Sequence, residues 1–390
     1  MYDKIFLLED NDKKLIALGE ESSVQGNINL CNSFFEEHKG EYIFGFLSYD
    51  LKNQIEVLKS ENTAIIEFPE LYFVVPQYVI EIKEDQTNFL KGDTNAEIDA
   101  IISKFSHHGP TSGFDQIELQ SSITKEQYLD NVRKLQEHIQ YGDIYEITFC
   151  QEFFARDVSI DPFQVYANLS ELTQAPFSCF VQYDTSFLLS GSPERFICKK
   201  AGRISSEPIK GTARRSDNRG EDEQNKKRLI NSPKEKAENV MIVDLVRNDL
   251  SKIAKRNTVK VDELFGVYSF NTVHQLISTI SAELKQDVSF DSILRAMFPM
   301  GSMTGAPKIS AMKLIEKYEA FKRGLFSGSV GYISPAGDFD FNVIIRSILY
   351  DETKKYISCP VGGAITIQSD PEEEYEECLL KVEALKKALE

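Results

Sequence analysis

The sequence predicts an α+β fold with largely antiparallel sheets. Apolar runs of strand length occur along the whole 390-residue chain, and segments with helical periodicity lie between them. Several β-like runs are joined by hairpin-like turns, whereas repeated strand-helix-strand units, which indicate a parallel sheet, are not evident. The length allows one elaborate domain or two.

The first part of the chain is rich in short β-like runs. These are residues 5–8, 42–47, 71–75 and 78–82, with one helical segment at 33–38. A polar connector rich in His, Gly, Ser and Thr follows at 106–114 and is typical of a loop. We therefore divide the chain into residues 1–118 and 119–390.

The second part opens with an amphipathic helix. Residues 124–141 carry apolar side chains at helical spacing, and Gly142 marks the end of the helix. A strand-like run at 144–154 comes next, and helices and β-runs alternate from there to the end of the chain.

Composition excludes several classes of function. With 44 Lys and Arg against 61 Asp and Glu, the formal charge is −17, which argues against nucleic acid as a partner. No apolar run is long enough to span a membrane and the N-terminus lacks the features of a signal peptide, so we expect a cytoplasmic protein. The six cysteines are scattered and form no zinc motif.

Lys210 is the most informative side chain. A strand at 187–190, a turn at 201–203 and a strand at 204–210 predict a hairpin that places Glu194 opposite Lys210, to within one residue of register. Opposed side chains lie about 5 Å apart at Cβ. The pair is either an exposed ion pair worth less than about 1 kcal/mol or a desolvated amine and an acid flanking a ligand. Gly211 favours the second alternative, because it lets backbone approach a ligand closely.

Two pairs of glutamates begin two helices. Ser232 and Pro233 start a helix that carries Glu235 and Glu238, and Asp370 and Pro371 start the last helix, which carries the second pair, Glu374 and Glu377. Like charges at this spacing repel unless a cation lies between them. Converging pairs would form an Mg²⁺ site, whereas a capping box at Glu235 and a solvated helix start near Glu374 are the structural alternatives.

Further candidate ligand-binding groups are weaker signals. Arg346 can bind a carboxylate through two parallel hydrogen bonds, and the run Gly362, Gly363 and Ala364 offers backbone N–H donors. His274 lies in an alternating segment, where a half-buried histidine with satisfied hydrogen bonds is the usual outcome.

Several of these motifs occur together and in order. They are Gly191-Ser-Pro-Glu-Arg-Phe196, Pro208-Ile-Lys-Gly-Thr212, residues 237–250, His274-Gln-Leu276, residues 301–308 and Glu374-Tyr-Glu-Glu377. The set resembles the chorismate-utilising enzymes over about residues 120–390. Within that family, Lys rather than Ala at the position of Lys210 marks the aminodeoxychorismate synthases that serve para-aminobenzoate and folate biosynthesis.

The resemblance implies a fold and a reaction. The fold is two large, mainly antiparallel sheets packed orthogonally with helices on the outside, and the N-terminal region contributes to the same core. The reaction is Mg²⁺-dependent: Lys210 attacks C2 of chorismate while Glu194 assists departure of the 4-hydroxyl group. Ammonia then adds at C4 and expels the lysine.

The resemblance also assigns roles to the other candidates. Glu238 and Glu377 become direct Mg²⁺ ligands, with Glu235 and Glu374 acting through water. The implied substrate-binding residues are Thr212, Tyr332, Arg346, Gly362, Gly363 and Ala364. His274 joins Lys210 and Glu194 as a catalytic candidate that lines the pocket.

Within residues 119–390, the chain departs from the family pattern in two places. Glu146 stands where many relatives have Gln, or Lys in the water-adding enzymes, which argues against isochorismate synthesis, and Ala364 replaces a common Gly. A separate glutamine amidotransferase subunit is the expected ammonia source, because the chain shows no Cys-His-Glu amidotransferase arrangement. The alternatives are component I of anthranilate synthase and a non-catalytic relative that docks a glutaminase or binds a metabolite.

Overall fold

A computed structural model describes residues 2–10, 13–84, 86–106, 117–270 and 273–390. Its strands are β1 (Lys4–Asp10), β2 (Lys13–Leu18), β3 (Ser22–Gln25), β4 (Ile43–Leu47), β5 (Leu71–Val75), β6 (Tyr78–Lys83), β7 (Gln86–Lys91), β8 (Gln120–Ser121), β9 (Glu146–Arg156), β10 (Cys179–Tyr183), β11 (Ser186–Ser190), β12 (Arg195–Lys200), β13 (Arg203–Glu207), β14 (Ile209–Arg214), β15 (Lys260–Ser269), β16 (Val273–Glu283), β17 (Gly305–Ala306), β18 (Ser329–Ile333), β19 (Phe339–Asn342), β20 (Ser347–Asp351) and β21 (Tyr356–Ile365).

The α-helices carry the rest of the regular structure. They are α1 (Cys31–Glu37), α2 (Lys52–Ile55), α3 (Ala96–Ser106), α4 (Lys125–Tyr141), α5 (Pro162–Thr173), α6 (Arg219–Asn231), α7 (Pro233–Ile253), α8 (Phe290–Met297), α9 (Lys308–Tyr318) and α10 (Pro371–Ala388). The helix predicted at 124–141 is confirmed as α4, which begins with a capping box at Thr124 and ends at Gly142 in the left-handed conformation.

The strands form two large sheets, and every strand pairing in the described ranges is antiparallel. Sheet one has the order β17-β9-β21-β20-β11-β10-β1-β2-β6-β7, with β8 beside β9. Sheet two has the order β14-β16-β13-β12-β19-β18-β4-β5-β3, with β15 beside β16. The predicted α+β fold with antiparallel sheets is confirmed.

Alternation along the strands divides the apolar core into two layers. In β1, Phe6 belongs to a cluster that also contains Phe44 and Phe46 of sheet two. Its neighbours Ile5 and Leu7 belong to a second cluster, which includes residues of α4, α5 and α10. This is the period of two expected of a strand. One layer therefore lies between the sheets, and the other lies between sheet one and its helices.

The predicted division of the chain near residue 118 stays a prediction. Strands from both sides of it pair within each sheet, β1 with β10 and β4 with β18. Residues 107–114 of the predicted connector lie outside the described residues. In the ranges that are described, no helix has the length and apolar character needed to cross a membrane. The cytoplasmic location also remains a prediction.

Candidate active site

The chain crosses between the two sheets at two adjacent places. Residues 191–194 connect β11 of sheet one to β12 of sheet two, and residues 343–346 connect β19 back to β20. Gly191 N donates to Arg346 O at 3.0 Å, and Val343 N donates to Glu194 O at 3.0 Å. We call these two segments the crossover region. It brings two predicted site residues, Glu194 and Arg346, onto neighbouring segments.

The predicted hairpin is present. Lys200 pairs with Arg203, and the two residues between them, Ala201 and Gly202, have φ values of 51° and 80°. Positive φ at both positions is the signature of the type I′ turn that best matches strand twist. The turn was therefore predicted correctly from its sequence.

The predicted register needs a correction. Arg195 pairs with Glu207, so Glu194 is level with Pro208, two residues before Lys210. Lys210 belongs to β14, which continues past the end of β12 and pairs with β16. The irregularity in the β12–β13 ladder and the break at Pro208 account for the difference. Glu194 and Lys210 still influence each other electrostatically.

Lys210 is buried, and its ion-pair partner comes from the other sheet. Lys210 Nζ lies 2.8 Å from Oε1 of Glu146, at the start of β9, and the Glu146 side chain is 0% exposed. Burial alone would lower the pKa of Lys210, but the carboxylates of Glu146, Glu238 and Glu194 outweigh it and raise the pKa. The resting amine is therefore protonated.

Glu194 has the burial and the raised pKa expected of a general acid. Its side chain is buried, and desolvation raises its pKa to about 7, although the Ser302 side chain, the Lys210 charge and the Ile209 amide act in the opposite direction. A carboxyl group of this kind is partly protonated at neutral pH and can donate its proton to a leaving group.

Helix α7 brings the first pair of glutamates to Lys210. Ser232 caps the helix by accepting from the Glu235 amide at 3.3 Å, and Pro233 follows in its first turn. Glu238 is buried, its Oε1 has no hydrogen-bond partner among the described residues, and desolvation raises its pKa to about 8. Burial also raises the pKa of Glu235, which is half-buried.

Helix α10 brings the second pair. Glu374 is buried and its Oε1 lies 3.1 Å from Nζ of Lys234, whereas the side chain of Glu377 is 48% exposed and pairs with Lys381 at 2.6 Å. The Lys381 ammonium is the main cause that lowers the pKa of Glu377. The two pairs interact electrostatically, since the charges of Glu374 and Glu377 both contribute to the raised pKa of Glu235.

Glycines let the strands approach these carboxylates. A Cβ atom on Gly211, whose φ is 99°, would lie 2.9 Å from Glu235 Oε2. On β21, a Cβ atom on Gly363 would lie 3.1 Å from Glu374 Oε2 and 3.6 Å from Glu377 Oε1. The run from Gly362 to Ala364 therefore lies beside the second glutamate pair, with its ladder partners on β9.

Arg346 is half-buried and has no carboxylate partner among the described residues. Its backbone is in the left-handed region, with φ of 49°, and burial lowers its pKa without any opposing charge. A desolvated guanidinium without a partner is a receptor for an anion, above all a carboxylate.

Two predicted substrate-binding residues, Tyr332 and Thr212, have contacts outside the group of residues around Lys210. Tyr332 stacks on Phe44 and lines a cavity with Asp10 and Lys13, and four strands, β16, β13, β12 and β19, separate its strand from β14, which carries Lys210. This placement gives no support to substrate binding by Tyr332. Thr212 is exposed and pairs with Gln275 in the sheet.

His274 is buried, and both of its ring nitrogens are engaged. Nδ1 lies 2.8 Å from Ser269 Oγ, and Nε2 lies 3.0 Å from Asp222 Oδ1. Asp222 also receives two hydrogen bonds from Arg215. This is the satisfied structural histidine named as the usual outcome, and the predicted catalytic role of His274 stays a prediction.

Comparison with known proteins decides the family. A family model described as chorismate binding enzyme matches residues 7–387. Aminodeoxychorismate synthase component 1 of Escherichia coli K12 is 37% identical over 350 residues, which cover 89% of this chain and 76% of the relative. The chain belongs to the chorismate-binding enzymes.

Further relatives show how the family varies. Anthranilate synthase component 1 of Aquifex aeolicus is 30% identical over 369 residues, covering 89% of this chain and 74% of the relative. The crystal structure of anthranilate synthase component I from Streptococcus pneumoniae TIGR4 superposes with a TM-score of 0.82 at 22% identity, covering 96% of this chain and 92% of that one. At that identity, the similarity establishes the fold.

The glutamates of this chorismate-binding enzyme fit a hard divalent cation by residue type. All four donors are carboxylates, and the buried Glu238 Oε1 lacks a hydrogen-bond partner within the described parts of the chain. In the part of the chain that the structure describes, no three His, Cys, Asp or Glu side chains are arranged so that they could hold a metal ion. Lys234 and Lys381 supply the positive charge beside the second pair.

Sequence reasoning missed the role of Glu146. Its departure from the family's Gln or Lys was noted, but only as an argument against water activation. The stronger signal was the introduction of a carboxylate at that position in a chain that also carries Lys210. Only the three-dimensional structure shows that the two side chains meet, because they lie on different sheets.

Proposed function

We propose that the protein is component I of an aminodeoxychorismate synthase, which converts chorismate and ammonia to 4-amino-4-deoxychorismate. The observation that carries the proposal is Lys210, a buried amine whose electrostatic neighbours include the carboxylates of Glu146, Glu194 and Glu238. An amine at this point of the site is a nucleophile available for covalent catalysis. The name of the 37% identical relative supports the same activity.

The residues divide the work of the proposed reaction. Neutral Lys210 attacks C2 of chorismate, the ring double bond shifts, and the C4–O bond breaks. Glu194, whose protonated form is well populated at neutral pH because its pKa is about 7, gives its proton to the leaving hydroxyl group, which departs as water. Ammonia then adds at C4 and the bond between C2 and the lysine nitrogen breaks. Glu194 recovers its proton from the new ammonium group.

Substrate binding in this proposal uses the unpaired cation and the backbone donors. Arg346 would bind one carboxylate of chorismate, since its guanidinium has no carboxylate partner among the described residues. The backbone amides from Gly362 to Ala364 lie beside the second glutamate pair and would donate hydrogen bonds to the other carboxylate of chorismate. Both would orient the ring toward Lys210.

Mg²⁺ is part of the proposal. Glu238 and Glu377 would hold the ion directly and Glu235 and Glu374 through water, and Lys234 and Lys381 would move away from the carboxylates. The ion would supply positive charge to a substrate carboxylate in a chain whose net charge is −17. The buried Glu238 Oε1, which has no hydrogen-bond partner among the residues that the structure describes, supports this assignment.

A partner subunit is also proposed. Relatives carry the designation component 1, which supports a second component. We propose that this component is a glutamine amidotransferase that supplies ammonia. Free ammonium at high concentration should replace it in vitro.

The test is product identity. Purified protein is incubated with chorismate, Mg²⁺ and ammonium, and the product is identified by mass spectrometry before and after addition of an aminodeoxychorismate lyase. We expect an aminated chorismate that keeps its enolpyruvyl group and yields para-aminobenzoate only with the lyase. A fluorescent ortho-aminobenzoate would instead establish the alternative, anthranilate synthase, which the Aquifex aeolicus relative represents. Absence of any turnover would favour a non-catalytic relative.

A further inference from the structure

The buried carboxylate of Glu146 has little stabilising support from its surroundings. Its side chain is fully buried at the start of β9, where its backbone pairs with Ala306. Oε1 is engaged by Lys210 Nζ at 2.8 Å, whereas Oε2 accepts no hydrogen bond from any residue in the described ranges. A buried ion pair with so little further support is a weak stabiliser. The presence of a carboxylate at this buried position therefore calls for a chemical explanation.

The proposed reaction requires a group that accepts the proton of the Lys210 ammonium, and none has been assigned so far. Lys210 attacks as a free amine, yet the surrounding carboxylates favour its protonated form. Glu194 cannot serve as the acceptor at that moment, because its own proton is required by the departing hydroxyl group. Glu238 belongs to the proposed Mg²⁺ ligands. Glu146 remains, and it is already in contact with the ammonium group.

We propose that Glu146 is the general base that takes the proton from Lys210 and later returns it. This inference rests on the proposed function. In the first half of the reaction, a proton moves from Lys210 Nζ to Glu146 and the neutral amine forms its bond to C2. In the second half, the C2–N bond breaks and the neutral amine is released. Glu146 then returns the proton to Lys210 and the resting ion pair is restored.

With Glu146 and Glu194, every proton that is transferred in the reaction has a donor and an acceptor, and no external acid or base is needed. Glu146 carries the lysine proton for as long as the covalent intermediate exists. Glu194 loses its proton to the departing hydroxyl group and regains one from the incoming ammonia after the C4–N bond has formed. The net change is chorismate plus ammonia to aminodeoxychorismate plus water.

Three variants test the base. Glu146→Gln keeps the size of the side chain and removes its ability to accept a proton, and Glu146→Asp keeps the carboxylate on a shorter side chain. Glu152→Gln is the matched control, since Glu152 is another carboxylate on β9 and bonds to Ser358 and Tyr356. The readout is the rate at which chorismate, without ammonia, forms an adduct on Lys210, followed by intact-protein mass spectrometry.

We expect Glu146→Gln to slow adduct formation by about 100-fold or more at neutral pH, within the range of general base catalysis. Glu146→Asp should retain a rate above that of Glu146→Gln, and Glu152→Gln should match the wild type. An adduct rate in Glu146→Gln equal to that of the wild type would overturn the inference.

The pH profile separates a base from a merely structural residue. Without Glu146, only amine already neutralised by solvent reacts, so the adduct rate of Glu146→Gln divided by that of the wild type should rise with pH. Loss of the Glu194 proton slows both proteins alike and cancels in this ratio. The charged groups that face Lys210 from other elements are shared by both proteins and cancel in the comparison: Glu194, Glu235, Glu238 and Glu377. Parallel profiles would contradict the proposal.

The experiment separates this inference from the proposed function. If the wild type makes no aminodeoxychorismate, both are wrong. If the wild type makes it and Glu146→Gln forms the adduct equally fast, only the base assignment is wrong. Should Glu146→Gln fail to fold, the Glu146→Asp variant decides, because a displaced carboxylate that left the adduct rate unchanged would contradict a base in contact with Lys210.

Discussion

Lys234 Nζ lies 3.1 Å from Glu374 Oε1 and so links the first turn of α7 to the first turn of α10. The contact brings a cation to the point where two pairs of carboxylates from distant parts of the chain approach each other. Burial raises the pKa of Glu238 to about 8, which shows how strongly this region disfavours uncompensated negative charge. The electrostatics of the site thus favour a positively charged ligand.

Mg²⁺ should stabilise the protein, and more so at pH 8.5 than at pH 6. The raised pKa of Glu238 means that the folded state binds a proton that the unfolded state has lost, so its contribution to stability declines as pH rises from about 4.5 toward about 8. If Mg²⁺ binds as proposed, it should bind the ionised carboxylate and reverse this loss. Thermal melts with and without Mg²⁺ at both pH values measure the effect.

Glu238→Gln is the control for the Mg²⁺ prediction. It should remove most of the Mg²⁺-dependent rise in Tm, and it should also flatten the pH dependence of the metal-free protein. A rise in Tm of the same size at both pH values, or in the variant, would show that Mg²⁺ acts elsewhere.

Lys210→Met should abolish the covalent adduct and lower turnover of chorismate by about 10³-fold or more, as expected on loss of a nucleophile. It should also destabilise the fold by about 3–5 kcal/mol, because Glu146 would be left buried without its cation. The double variant Lys210→Met/Glu146→Gln should recover most of that stability and none of the activity. Urea unfolding and product analysis measure the two effects, and unchanged kinetics in Lys210→Met would remove this lysine from the mechanism.

Glu194→Gln should lower kcat by about 10²–10⁴-fold, because the amide cannot donate a proton to the departing hydroxyl group. The wild-type kcat should fall as pH rises through about 7, where Glu194 loses the proton it needs. Rate profiles between pH 6 and 9 test both points. Glu207→Gln, on the same hairpin, is a control that should leave the pH profile in place.

Arg346→Met should separate binding from stability. Removing a half-buried guanidinium that has no carboxylate partner among the described residues should leave Tm unchanged or raised. The KM for chorismate should rise by about tenfold or more, since a charge-assisted bond is lost. Arg346→Lys should recover only part of the affinity because it cannot bind through two parallel bonds. A large loss of Tm in Arg346→Met would point to a structural role instead.

Local signals in the sequence predicted local structure well. The turn at Ala201 and Gly202, the cap at Ser232 and the end of α4 at Gly142 all depend on a few neighbouring residues and are present. The two glutamate pairs were found for the same reason, since helical spacing alone puts each pair on one side of its helix.

Long-range relationships were predicted less well. The hairpin register failed by two residues because a ladder irregularity and Pro208 interrupt it, and neither effect is visible in the hydrophobic pattern. Tyr332 was assigned to the substrate through the family resemblance, and this role stays a prediction, with four strands between its strand and that of Lys210. The partner of Lys210 could not be predicted, because it depends on how two sheets face each other.

The crossover region has a further consequence for how this molecule would respond to force or denaturant. Ser190 faces Ser347 in sheet one and Arg195 faces Asn342 in sheet two, so one antiparallel ribbon runs unbroken from sheet to sheet and carries Glu194 and Arg346 at its bend. The Lys210–Glu146 contact spans the same gap. Separation of the two sheets would therefore displace Glu194, Lys210 and Arg346 together. Turnover should then be lost early in unfolding.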